Sequence, residues 1–209
     1  MIIKERPILM AGSMAQGCHE GWKTQTRRVV KVQSGPDVLS FRKHDNEWLP
    51  VISGVNGDAE TRGDVSLRVS CPYGSPGDRL WVRETWGTDG FTEDYVKNKR
   101  VDYLRYRAGY KWFNRPKWRP SIHMPRWACR TILEITNVRV ERLQDISEED
   151  AKAEGVDERF EMNIADFVHN KPIKPSYRIG FKHLWDSIAK PGERWQDDPW
   201  VWVIGFKKV

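Results

Sequence analysis

Gly21-Trp22-Lys23-Thr24-Gln25-Thr26-Arg27-Arg28 places a lysine, two threonine hydroxyls and two guanidiniums behind a single glycine. The fold reading turns on this stretch. Glycine gives the chain a conformation closed to other residues, and no amphipathic repeat calls for the residues from Trp22 to Arg28. A hydroxyl beside an amine that can act as a base is an arrangement for nucleophilic catalysis, and arginines stabilise an anion. The plainer alternative is a basic turn between a helix and a strand, its charges in water.

Working outward, the chain has 209 residues, 31% of them charged, and a mean hydropathy of −0.69. That length points to one domain, residues 1–209, with room for a real core. Apolar runs are too short to span a bilayer, and Met1-Ile2-Ile3-Lys4-Glu5-Arg6-Pro7 lacks a secretory h-region. Cys18, Cys71 and Cys129 are odd in number and form no CxxC pair, so neither a disulfide framework nor a zinc site is expected. His19 beside Cys18 has no distant partner and does not make a metal site. A cytoplasmic protein with reduced thiols, no metal and no cofactor is the expectation. The 35 Lys+Arg against 29 Asp+Glu give a net charge of +6. Several of the 11 tryptophans stand beside a cation, as in Trp22-Lys23, Lys117-Trp118-Arg119 and Arg126-Trp127. Rings that stack bases next to cations that hold phosphates suit single-stranded or flipped nucleotides, although most of these rings are expected in a core.

Along the chain, Ile8-Leu9-Met10 predicts a short strand and Ser13 to Glu20 a helix. Val29-Val30-Lys31-Val32 predicts a strand leaving the basic motif, and residues 34–70 an inserted hairpin or loop region. Pro76-Gly77-Asp78 is a turn signal before a strong strand, Arg79 to Trp86. In Ala128 to Leu143 the apolar positions switch parity after Ile135, which predicts a bulge or turn near Thr136-Asn137. Ser147 is an N-cap with Asp150 at N3, and Gly155 ends that helix. Phe181, Leu184, Trp185 and Ile188 lie on one helical face. Trp200 to Phe206, apolar on both faces, is a buried strand. Strands and short helices without a βαβ rhythm predict an α+β fold, a small barrel with helices at its rim.

With the motif and these elements in order, the chain resembles the ASCH domain family. Gly21-Trp22-Lys23-Thr24-Gln25-Thr26-Arg27-Arg28 looks like its GxKxxTxR signature, and Pro76-Gly77-Asp78 like its PGD segment. Arg119-Pro120-Ser121-Ile122-His123-Met124-Pro125-Arg126-Trp127 and Asp198-Pro199-Trp200-Val201-Trp202 resemble a longer, phage- and prophage-encoded branch. The resemblance covers most of the chain apart from insertions at about 34–70, 88–115 and 157–174. It implies a PUA-like mixed β-barrel associated with RNA. A small bacterial member of the family is an amidohydrolase that removes the acetyl group from N(4)-acetylcytidine. Its catalytic lysine and threonine correspond to Lys23 and Thr26, and its glutamate to Glu154 near the end of the short helix; Glu148, Glu149 and Glu134 are nearby carboxylates.

Two assignments are open for an exocyclic amide. Thr26 attacks if Lys23 is neutral and takes its proton, which requires burial and neighbouring cations to lower an amine that ordinarily titrates near about 10.4; Glu154 then carries a proton to the departing amine. In the other, Lys23 stays charged as oxyanion donor and Glu154 activates water. An ordinary Lys23–Glu154 salt bridge is the alternative to both. Arg27, Arg28, Glu84, Ser121, His123 and Trp127 are further substrate-binding candidates, Glu84 being equally suited to pair with Arg83 or Arg79 at the surface. The competing function class is a non-catalytic module binding RNA or a modified base.

Overall fold

The computed structural model describes residues 3–31, 38–53, 59–60, 69–99, 101–110, 116–158 and 175–209. In chain order these form β1 (Glu5–Leu9), α1 (Gly12–Glu20), β2 (Gln25–Val29), β3 (Val38–His44), β4 (Glu47–Ser53), β5 (Ala59–Glu60), β6 (Val69–Ser70), β7 (Arg79–Arg83), β8 (Trp86–Thr88), α2 (Glu93–Lys99), β9 (Leu104–Tyr106), β10 (Ile132–Arg142), α3 (Glu148–Ala153), α4 (Tyr177–Ile188) and β11 (Trp200–Lys208). The class is mixed α+β. The chain forms two compact units. Met1–Thr24, Tyr73–Thr136 and Phe206–Val209 build the first; Gln25–Pro72 and Asn137–Gly205 build the second.

In the first unit β1 runs parallel to β7, Ile8 opposite Val82, and β7 runs antiparallel to the start of β10, Leu80 opposite Leu133. Alternation explains the core: Leu80 and Val82 point inward and are fully buried, while Arg79, Trp81 and Arg83 are half-buried. The turn before β7 pins β1. Gly77 takes φ 91°, and the Asp78 carboxylate accepts from the Lys4 and Ser75 N–H groups at 3.0 and 3.1 Å and from the Arg6 guanidinium at 3.2 Å. The strand expected from Arg79 to Trp86 is interrupted at Glu84 and Thr85, because the Glu84 N–H turns to Met124 Sδ (3.2 Å) and β8 leaves to pair with β9. The 88–115 insertion supplies α2 and β9.

In the second unit β11 pairs antiparallel with β2, Ile204 opposite Thr26 and Trp202 opposite Arg28. The two faces of β11 are covered differently. Val201 and Val203 pack with Leu143, Ile146, Ala151, Phe181 and Trp185 under α3 and α4. Trp200 and Trp202 meet Phe41 and Trp48 of β3 and β4 edge-on, at 5.0 and 6.2 Å between ring centres. That hairpin, with β5 and β6, is the described part of the 34–70 insertion, and most of 157–174 lies outside the described residues.

Three expectations change in detail. The strand expected at Val29–Val32 begins at Gln25, inside the motif, and ends at Val29; Val32 lies outside the described residues. The parity switch in β10 occurs without a turn. Thr136 and Asn137 are exposed, Val138 is buried again, and Asn137 Oδ1 accepts the Gly205 N–H at 3.2 Å, so a side chain joins the backbone bonding there. In α4, Phe181 and Trp185 are buried as the spacing predicts, but Ile188, in the last turn, is exposed.

Candidate functional site

The motif is shaped first by how α1 ends. Gly21 takes φ 88°, and its N–H and that of Lys23 both donate to Gly17 O, at 2.9 and 3.1 Å. This left-handed cap reverses the chain immediately after the helix. The Trp22 indole packs against Gly17, where an added Cβ would sit 2.6 Å from the ring. Lys23 comes next, buried in the first unit with 3% of its surface exposed.

The rest of the motif belongs to the second unit, as strand β2. Successive side chains of a strand point to opposite faces, and the contacts obey that rule. Arg27 points toward the helices: its guanidinium donates to Asp150 at 2.9 Å, to Glu154 at 3.2 Å and to Glu141, and stands over the Phe181 ring at 5.7 Å. Arg139 braces the same carboxylates, donating to Glu141 at 3.0 Å and to Asp150. On the opposite face Arg28 donates to Thr26 Oγ1 at 3.0 Å. The structure therefore joins Glu154 to Arg27 and Thr26 to Arg28, with the strand between the two pairs.

Glu154 is the C-cap of α3, a helix begun by the Ser147 hydroxyl, which accepts from the Asp150 N–H. Glu148 of α3 caps α4 in turn, accepting from the Ser176 hydroxyl at 2.5 Å and the Tyr177 N–H at 2.8 Å. Burial raises the Asp150 and Glu148 carboxyls, but opposing contacts win. Arg27 and Arg139 hold Asp150 below the usual range, and Ser176 with the Tyr177 and Arg178 N–H groups hold Glu148 below it. Desolvation opposes the charge on Arg27, yet Glu154 and Glu141 raise its pKa, so it stays a cation. As pH falls, the unfolded chain takes up these protons before the folded one. The stability they contribute is complete above the unfolded-chain values of about 4 and is lost below them. Thermal unfolding between pH 3 and pH 6 is expected to show a falling midpoint below about pH 4 that Asp150→Asn makes shallower.

The other candidates divide. Glu84 is buried, 1% exposed, and faces neither Arg79 nor Arg83. Arg130 grips it with two bonds, 2.8 and 2.9 Å, while lying over the Tyr106 ring at 4.3 Å. The Tyr106 hydroxyl donates to Ala128 O at 2.8 Å, and burial pushes its pKa to about 12. Trp127 packs edge-on against the buried Trp86 at 5.8 Å, as core does. Ser121 is half-buried and His123 exposed, on a single 3-10 turn between two prolines. The sequence reading missed Arg130, Arg139 and Glu141. The only signal for the last two was their two-residue spacing on one strand, which puts opposite charges on one face.

Among the described residues no helix is long and apolar enough to cross a membrane, and no group of three His, Cys, Asp or Glu is placed to hold a metal. Comparison with protein-family models, curated proteins and solved structures returned no match to this chain.

Proposed function

We propose that this protein is a hydrolase that removes an acyl group from the exocyclic amine of a modified cytosine nucleoside, as its ASCH-like motif and PUA-like element order imply. The observation that carries the reading is where polar burial is concentrated. Among the described residues the buried polar side chains are Lys23, Gln25, Thr26, Arg27, Glu84, Thr88, Thr131 and Glu154. Five of these eight are the motif and the carboxylate it binds. Burying such groups is costly, and a concentration of them marks a candidate functional site.

The reaction adds water across the amide, giving a carboxylic acid and the free cytosine amine. Strand alternation makes Thr26 and Glu154 agents of alternative routes. In one, Thr26 attacks the carbonyl while Lys23 takes its proton and passes it to the departing cytosine amine, Arg28 stabilises the oxyanion, and water then cleaves the acyl-Thr26 ester to the acid. In the other, Glu154 activates water and Lys23 holds the oxyanion. A module that binds RNA or a modified base without turnover is the second reading, favoured by the net charge of +6.

Incubating the intact protein with N(4)-acetylcytidine and separating the products decides between them. Release of cytidine above the protein-free rate is expected, lost in Thr26→Val if the hydroxyl attacks and in Glu154→Gln if water does. No release at any protein concentration overturns the hydrolase. RNA retention that weakens steeply with salt would then favour the binding module.

A further inference from the structure

The first unit contains a cavity of about 570 Å³, within the range that holds small ligands. It is lined by Gly12, Ser13 and Gln16 of α1, by Trp22, by Thr85, and by Arg107-Ala108-Gly109 from the 88–115 insertion.

Two of these residues are arranged for a ligand. Trp22 is 46% exposed, yet it is held in place. The six-membered ring packs against Gly17, and the indole N–H donates to Glu20 at 2.9 Å. The exposed ring is already oriented, so stacking on it costs little ordering entropy. Arg107 is exposed, and its N–H donates to Thr85 O at 2.9 Å, which fixes where the side chain starts. Among the described residues no carboxylate pairs with its guanidinium. Its neighbours differ: Arg105 is bound to Asp89 and Arg130 to Glu84. An anchored aromatic face and an uncommitted guanidinium in one cavity match a base that carries a phosphate.

We infer that this cavity binds a phosphate-bearing nucleotide, free or as a residue of a single strand, in preference to a free nucleoside, the base stacked on Trp22 and the phosphate on Arg107. The inference rests on the nucleoside reading above, but its test reads binding and not turnover. Glu20 occupies the polar edge of the indole.

The test titrates the intact protein, in phosphate-free buffer, with cytidine, cytidine 5′-monophosphate and a short oligocytidylate by calorimetry. The monophosphate is expected to bind about tenfold tighter than cytidine, an advantage that shrinks as salt rises. Arg107→Ala brings that ratio to about one, whereas Trp22→Ala weakens both ligands about tenfold and Trp22→Phe restores most of the loss. A tighter oligocytidylate identifies a strand as the source of the phosphate, and equal affinity identifies a mononucleotide. Equal binding of cytidine and its monophosphate, no binding of either, or an advantage that survives Arg107→Ala overturns the inference. Binding with these signatures but without cytidine release from the acetylated nucleoside overturns only the hydrolase.

Discussion

Arg27→Met is expected to lower the unfolding midpoint by roughly 10 °C at neutral pH, the largest stability loss of any single motif substitution. The Arg27 side chain has no solvent exposure and serves Glu141, Asp150 and Glu154 together. Methionine has the volume and apolar stem to fill the space over Phe181, so the loss is electrostatic and not a cavity. It leaves three carboxylates gathered with Arg139 alone, itself 35% exposed, reaching two of them. Breaking a buried pair from one side costs about 3–5 kcal/mol because the remaining charge stays buried. The pH dependence identifies the cause. Without Arg27 the gathered carboxylates repel one another, and added protons relieve that repulsion, while the wild type keeps its full stability down to about pH 4. The gap between their midpoints should narrow as pH falls from 7 toward about 4.5. Adding Glu154→Gln should recover part of the loss by removing one of the uncompensated charges. An unchanged midpoint at pH 7 would mean that the pairing of β2 with β11 holds this face without the guanidinium.

How much of the fold and the site was legible in the sequence depends on the range of each interaction. The Ser147 cap, the Gly155 stop and the face of α4 up to Trp185 come from local rules, and the structure has them. The buried strand at Trp200–Phe206 was legible because tryptophan, valine and isoleucine on both parities leave no solvent face. The start of β2 was not, because Gln25, Thr26 and Arg27 are polar and yet buried. Such residues read as surface until their partners are known, and Arg27 finds its partners 114 to 127 residues away. The partner of Glu84, open in the sequence between a binding role and a surface pair with Arg83 or Arg79, was hidden for the same reason: Arg130 lies 46 residues on. The family resemblance singled out Lys23, Thr26 and Glu154 one by one. It did not reveal that Thr26 and Glu154 face opposite sides of one strand, since the two lie on separate elements and no local rule relates them.

Lys23→Met is expected to reduce cytidine release from N(4)-acetylcytidine about a thousandfold, and Lys23→Arg decides what the lysine does. Lys23 is 3% exposed, held where α1 turns back by its N–H on Gly17 O. Methionine reproduces the length of the chain and removes the amine, so a loss of rate with cooperative unfolding preserved assigns the effect to chemistry. Arginine keeps a cation but does not act as a base, because its guanidinium is not deprotonated in proteins. If Lys23 takes the proton of Thr26, arginine is as inactive as methionine. If Lys23 is the oxyanion donor and Glu154 activates water, arginine retains about a tenth of the rate or more, since a guanidinium also stabilises an oxyanion. Wild-type rates in Lys23→Met would remove Lys23 from the reaction altogether. The buried lysine would then be a structural ion partner, and the concentration of buried polar groups in the motif would have to be explained by the architecture of β2 alone.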